Sequence, residues 1–319
     1  MSGEPAAVEF PGLAEVRAAA RRIAGLVART PLLAFGPDPA ISLKPELLQP
    51  TGSFKVRGVL NWALGQTAER RRAGFATFSA GNTALALGFA ARRLGVRCRS
   101  VLPDSAAGHK VRALEAAGIE ATLMSFAAMM DWVRGPALDG PEAFLHPWTE
   151  PAMIAGHATM ALELLEDAPE LDTLFVPVGG GALAVGVGGA VKALRPSVRV
   201  VGVQAAACGA LQASFAAGRP VAVEAGPTLC DGVAVPFVEP AMYPALRQSL
   251  DEVVAVGEEE VAAAIRLLAA EAKLVAEGAG ALALATALRT GPAGRGRAAC
   301  LVTGGNIGPG RLAEVLSQA

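Results

Sequence analysis

Thr173-Leu174-Phe175-Val176-Pro177-Val178-Gly179-Gly180-Gly181-Ala182-Leu183 is the stretch on which the fold turns. An apolar run of strand length breaks into adjacent glycines, and an alanine-rich segment follows as far as Leu194. The run from Thr173 to Val191 carries no charge and is long enough to suggest a membrane span. Pro177 and the glycine cluster suit a strand, a tight turn and a helix instead, so no membrane association is expected.

The same grammar repeats outward in both directions. Strands are expected at Ala40–Lys44, Gly74–Ser79, Arg97–Leu102, Glu120–Met124, Thr173–Val178, Arg199–Val203, Glu252–Val256 and Ala298–Val302. Helices are expected at Leu13–Leu26, Ser53–Leu64, Thr83–Leu94, Ala107–Ala117, Ile154–Asp167, Ala182–Leu194, Glu258–Glu271 and Gly278–Leu288. Strand-helix alternation with short turns implies βαβ crossovers and an α/β fold with mostly parallel sheet covered on both faces. The segment Gly135–Pro147, with Pro136, Pro141 and Pro147, reads as a boundary, and Gly65–Ala73 as another. They bracket a smaller inserted domain at residues 69–150, leaving 1–68 and 151–319 to form a larger one.

Of 319 residues, 52% are apolar and 18% charged, enough for large cores, while aromatics at 5% leave those cores to Ala, Val and Leu. The net charge is −1 with the basic residues dispersed, which argues against a nucleic-acid partner. Cys98, Cys208, Cys230 and Cys300 are far apart, and His109, His146 and His157 are scattered, so no zinc cluster is expected. The thiols read as small buried hydrophobes in a reducing compartment. The N-terminal MSGEPAAVEF lacks the basic region of a secretory signal, and a cytoplasmic location is expected.

Ligands of open α/β sheets bind where strands run into helices. Pro50-Thr51-Gly52-Ser53-Phe54-Lys55-Val56-Arg57-Gly58 places Lys55 in the first turn of a helix that Ser53 can cap, and the positive helix end disfavours its ammonium form. A lysine with a lowered pKa suits a Schiff base or a general base. Ser79-Ala80-Gly81-Asn82-Thr83 offers backbone N–H groups and short polar side chains to an anion, and Gly179-Gly180-Gly181-Ala182 lets amides approach a phosphate closely. The glycines also fit a loose dinucleotide pattern across Gly179, Gly181 and Ala184. That pattern expects an acid at the end of the next strand, where Gln204 stands. In Leu301-Val302-Thr303-Gly304-Gly305-Asn306, Thr303 puts a hydroxyl at a strand's carboxyl end.

Taken together and in this order, these elements resemble the fold-type II pyridoxal-phosphate enzymes, in the branch of serine/threonine dehydratases and serine racemase. The resemblance runs from Arg29-Thr30-Pro31 to Asn306. It includes Ile154-Ala155-Gly156-His157-Ala158-Thr159, Ala161-Leu162-Glu163, Asp231-Gly232-Val233 and Lys273-Leu274-Val275-Ala276-Glu277-Gly278-Ala279-Gly280. It implies a tryptophan-synthase-β-like pair of parallel-sheet αβα domains, pyridoxal 5′-phosphate as cofactor, a small amino-acid substrate and a homodimer. Residue by residue, it implies that Lys55 carries the cofactor, that Phe54 packs on its ring and that Asn82 meets its 3′-oxygen. Gly179, Gly180, Gly181 and Ala182 would hold its phosphate, and Thr303 would meet its ring nitrogen; Glu277 belongs to the same cofactor set. Ser79, Ala80, Gly81, Asn82 and Thr83 would grip the substrate carboxylate.

The implied reaction is elimination of the β-hydroxyl of L-threonine or L-serine, giving a 2-oxo acid and ammonia. Departures bear on that expectation. Ala80 stands where racemases of the branch carry an acidic serine, which disfavours racemization. Thr83 replaces a usual histidine and keeps threonine synthase as an alternative, beside a hydroxy-aspartate dehydratase or an ammonia-lyase for a related amino acid. His157 replaces a usual glutamine and reads as packing. Gln204 and Ala210 fall where the branch has carboxylates for a divalent cation, so no metal is expected. A non-catalytic amino-acid- or cofactor-binding protein is a remoter alternative.

Overall fold

The computed structural model describes residues 7–106 and 108–318. In chain order the strands are β1 (Leu33–Phe35), β2 (Asp38–Pro45), β3 (Phe75–Phe78), β4 (Cys98–Pro103), β5 (Glu120–Met124), β6 (Ala143–Leu145), β7 (Thr173–Pro177), β8 (Arg199–Ala205), β9 (Glu252–Val256) and β10 (Ala298–Val302). They form two sheets, one ordered β1-β2-β10-β7-β8-β9 and the other β5-β4-β3-β6. Every pairing is parallel except the β1–β2 hairpin. Every residue of β7 and β10 is buried, as expected of central strands covered by helices on both faces.

Glu120–Met124, Glu252–Val256 and Ala298–Val302 lie where the sequence places them, and the other expected strands differ by one or two residues at an end. Two strands are additional, β1 and β6. β6 lies inside the proline-bearing segment read as a boundary, and it pairs with β3 at the sheet edge. Helices at Ala68–Ala73, Phe126–Arg134, Ala210–Ala217, Tyr243–Ser249 and Pro309–Ser317 are also additional. Ala107, the expected start of one helix, lies outside the described residues, as does the N-terminal hexapeptide. The helix expected to end at Leu288 continues through Thr290, and Gly291 at φ 69° followed by Pro292 breaks it.

Two glycines set the position of the lysine-bearing helix. Lys55–Gly65 crosses the helix Pro151–Asp167 so closely that a Cβ on Gly58 would lie 2.6 Å from the Met153 carbonyl oxygen. A Cβ on Gly156 would lie 2.5 Å from the Arg57 carbonyl oxygen. Only glycine at both positions lets the backbones meet. Beside this crossing, Arg57 donates to both oxygens of Glu46 (2.7 and 2.8 Å) and of Glu163 (2.6 and 2.9 Å). Lys44 joins Glu163 at 2.7 Å, and the Thr30 hydroxyl donates to Glu46 at 2.7 Å. Several of the sequence's most specific residues therefore build a buried ionic knot under the helix.

Ser53 does not cap that helix. Phe54 occupies the cap position without a side-chain hydrogen bond, and the Ser53 hydroxyl is buried without a partner. The reason is tertiary: the Gly52–Phe54 backbone is pinned to the loop after β10. Phe54 N–H donates to the Thr303 carbonyl at 3.0 Å, and Gly305 N–H donates to the Gly52 carbonyl at 2.9 Å.

Candidate active site

A cavity of 570 Å³ opens at the carboxyl ends of β3, β7 and β10, and so draws on both sheets. Its walls include Phe54, Lys55, Ser79, Ala80, Gly81, Asn82, Thr83, Gly179, Gly180, Gly181, Ala182, Glu277 and Thr303. The structure thus brings every site residue expected from the sequence to one place.

Lys55 is the first residue of its helix and stands on the cavity wall. Its Nζ has one long contact, 3.5 Å to the Pro147 carbonyl oxygen, and lies 5.1 Å from the centre of the Phe54 ring. Burial lowers its pKa to about 8, against a smaller upward pull from the Glu277 charge. Glu277 is displaced the other way. Burial pushes its carboxyl up to about 7, partly offset by the hydrogen bond it accepts from Asn82, while Asp231 raises it and Lys110 lowers it. Asn82 Nδ2 donates to Glu277 Oε1 at 2.8 Å, and Asn306 Nδ2 donates to Asn82 Oδ1 at 2.6 Å. Asn82 is thereby fixed from two sides.

The loop Ser79–Gly81 precedes the helix Asn82–Leu94. Ser79 is anchored through Ser100, whose hydroxyl accepts from Ser79 N–H (3.1 Å) and donates to the Ser79 carbonyl (2.7 Å). Ser79 Oγ in turn accepts from Gly81 N–H at 3.2 Å. The amides of Gly179–Gly181 precede the helix that begins at Ala182, at an end where intrahelical acceptors are missing. Gly181 has φ 102°, and a Cβ on Gly180 would come 2.6 Å from the Trp148 indole. Thr303, buried at the end of β10, directs its hydroxyl at the Ala279 carbonyl at 3.3 Å.

Other residues earmarked in the sequence lie off the cavity wall. Gln204 Oε1 accepts from the N–H groups of Leu211 (2.8 Å) and Gln212 (3.1 Å), so it caps the helix Ala210–Ala217. His157 is fully buried, edge-on to Phe54 with ring centres 4.7 Å apart, and burial holds it well below the usual histidine range. Cys98, Cys208, Cys230 and Cys300 are buried and unpaired. No described helix is long and apolar enough to cross a membrane. Conversely, Phe78, Lys110 and Trp148 line the cavity without any motif having singled them out. Adjacency in sequence to Ser79 and to Pro147 is the one signal Phe78 and Trp148 carry.

An unpaired lysine of lowered pKa, a glycine cradle of free amides and a hydroxyl at a strand end define a site for a phosphorylated carbonyl cofactor. The chain belongs to the family of pyridoxal-phosphate dependent enzymes, whose model matches residues 23–304. It is 36% identical to an L-threonine ammonia-lyase of Thermotoga maritima over 96% of this chain and 78% of that protein. Among solved structures, the T.th. threonine deaminase superposes with a TM-score of 0.86 at 36% identity, covering 93% of this chain and 99% of the other. Maize serine racemase superposes with a TM-score of 0.88 at 29% identity, covering 98% of each chain. The fold is fold-type II, and the cofactor is pyridoxal phosphate.

Proposed function

We propose that the protein eliminates the β-hydroxyl of L-threonine or L-serine, releasing ammonia and a 2-oxo acid. The observation that carries this reading is the pairing of Lys55 with Thr303 on one cavity. Lys55 is an amine able to be neutral near physiological pH. Thr303 offers a hydroxyl, which, unlike a carboxylate, does not hold a proton on a pyridine nitrogen. The relatives point to the same chemistry, two of them acting on threonine by name.

In this reading Gly179–Ala182 hold the cofactor phosphate, Asn82 meets its 3′-oxygen, Phe54 covers one ring face, Thr303 meets the ring nitrogen, and Glu277 completes the set. The bound cofactor supplies an electron sink for negative charge at the substrate's α-carbon. The Ser79–Thr83 backbone, at a helix N-terminus, holds the substrate carboxylate. With the carboxylate fixed there, Lys55 Nζ takes the α-proton, and the β-hydroxyl takes up a proton and leaves as water. The amino product then hydrolyses to the 2-oxo acid and ammonia. Ala80 has no proton to give to the face opposite Lys55, so the reading favours elimination over inversion. Residues 69–150, which carry β3 to β6, act as a smaller domain inserted into the rest, and the protein works as a cytoplasmic homodimer.

The test is the visible spectrum of the purified protein before and after L-threonine or L-serine. A band lost in Lys55→Ala, altered by one of these amino acids with release of ammonia, is the expected result. A band that neither amino acid perturbs refutes this substrate assignment.

A further inference from the structure

We propose that the cavity favours amino acids whose β-substituent is apolar, binding more tightly as that substituent grows beyond the methyl group of threonine, with Phe78 and Trp148 as the specificity-determining residues. The inference rests on the ammonia-lyase reading and adds the substrate side chain to it.

The first argument is charge. Among the described lining residues the cations are Lys55 and Lys110. Lys55 is committed to the chemistry. Lys110 Nζ lies 2.7 Å from Asp231 Oδ2, so its charge is already met. Glu277 also lines the cavity. A second carboxylate on the substrate, as in 3-hydroxyaspartate, would leave water for a site with two acids and no free cation.

The second argument is the placement of the rings. Phe78 directly precedes Ser79, the first residue of the carboxylate loop. Trp148 directly follows Pro147, whose carbonyl is the Lys55 contact. The two rings meet edge to face with centres 5.5 Å apart. Both rings line the cavity that contains these two anchor points, and so form an aromatic wall of it. That wall is rigid. Trp148 also packs on His146 at 4.9 Å and on Phe237 at 6.4 Å, and Phe78 packs on His146 at 5.4 Å and on Phe144 at 6.2 Å. Preformed apolar walls reward apolar substituents in proportion to the area they cover.

The test uses the holoenzyme and amino acids that lack a β-hydroxyl, so that binding is read without elimination. Dissociation constants for L-phenylalanine, L-alanine and L-aspartate are measured from the change in the visible band. L-Phenylalanine is expected to bind about tenfold or more tighter than L-alanine. L-Aspartate is expected to produce no change where L-phenylalanine saturates. Phe78→Ala should weaken L-phenylalanine at least about fivefold while leaving L-alanine unchanged. Phe78→Leu should fall between. Equal affinity for alanine and phenylalanine, tight binding of aspartate, or an equal effect of Phe78→Ala on all three ligands overturns the proposal. Ammonia release from 3-phenylserine, L-threonine and L-serine is measured in parallel. If none of these releases ammonia, the lyase reading fails while the binding order still decides the pocket.

Discussion

Lys55 and Arg57 stand two residues apart at the start of one helix, and the protein treats the two cations in opposite ways. Arg57 is buried and meets two carboxylates through paired hydrogen bonds, with Thr159 and the Ala28 carbonyl as further acceptors. Those carboxylates hold its pKa above the usual arginine value, outweighing burial. Among the described residues Lys55 has no carboxylate within hydrogen-bond reach, and burial pulls it down to about 8. The helix turn rotates one side chain into a closed ionic knot and the other onto an open wall. Partnership, more than burial, separates a cation that holds the fold from one that is available to react.

The sharpest way to break this contrast is to replace each cation by methionine. Lys55→Met is expected to lower turnover of L-threonine by at least about 10³-fold. It should leave the urea midpoint of the cofactor-free protein unchanged or raised, because a desolvated amine without partners contributes nothing to stability. Arg57→Met leaves Glu46 and Glu163 facing each other with Lys44 alone to balance them, and should cost about 3–5 kcal/mol in the same denaturation. Comparable stability losses from the two substitutions would mean that the division of roles is wrong.

How far the sequence could show this is itself uneven. The glycine loop, Lys55, Asn82 and Thr303 were legible because each lies in a short contiguous motif at a strand-to-helix junction. Fold class followed from the alternation of apolar runs and alanine-rich segments. What was hidden depends on contacts across the chain. Ser53 has the chemistry of a cap, yet the backbone pairing with the loop after β10 turns it away from the helix. Arg57 and Glu163 are 106 residues apart, so nothing local marks them as partners. Trp148 and β6 sit in or beside a proline-bearing segment that reads as a boundary, and three residues of strand give too little periodicity to detect. Short edge elements, and side chains recruited to the cavity from neighbouring loops, needed the structure.

The pH dependence of cofactor loading sharpens the Lys55 side of the comparison. An amine of pKa about 8 is roughly one-tenth neutral at pH 7 and nine-tenths neutral at pH 9. The rate at which cofactor-free protein gains its visible band with added pyridoxal phosphate should therefore rise about tenfold over that interval and level off near its end. A lysine with the ordinary value of 10.5 would give roughly a hundredfold rise over the same interval with no plateau. The second profile would return Lys55 to the class of ordinary surface lysines.

The smallest expected effect concerns the carboxylate that still pulls on Lys55. Glu277 raises the lysine's pKa, so Glu277→Gln should move the loading profile to lower pH by a fraction of a unit. The same variant has a second signature. Glu277 titrates at about 7 in the folded protein against 4.5 in an unfolded chain. Between those values the folded state keeps a proton that the unfolded state has released. The stability this contributes is complete below pH 4.5 and is lost as pH rises through 7. Wild-type cofactor-free protein should accordingly lose stability relative to Glu277→Gln between pH 5 and pH 7, read as the difference in urea midpoints. A profile that shifts to higher pH, or two proteins whose midpoints run parallel across that window, would show that Glu277 is not the charge that Lys55 senses, and the contrast with Arg57 would then rest on burial alone.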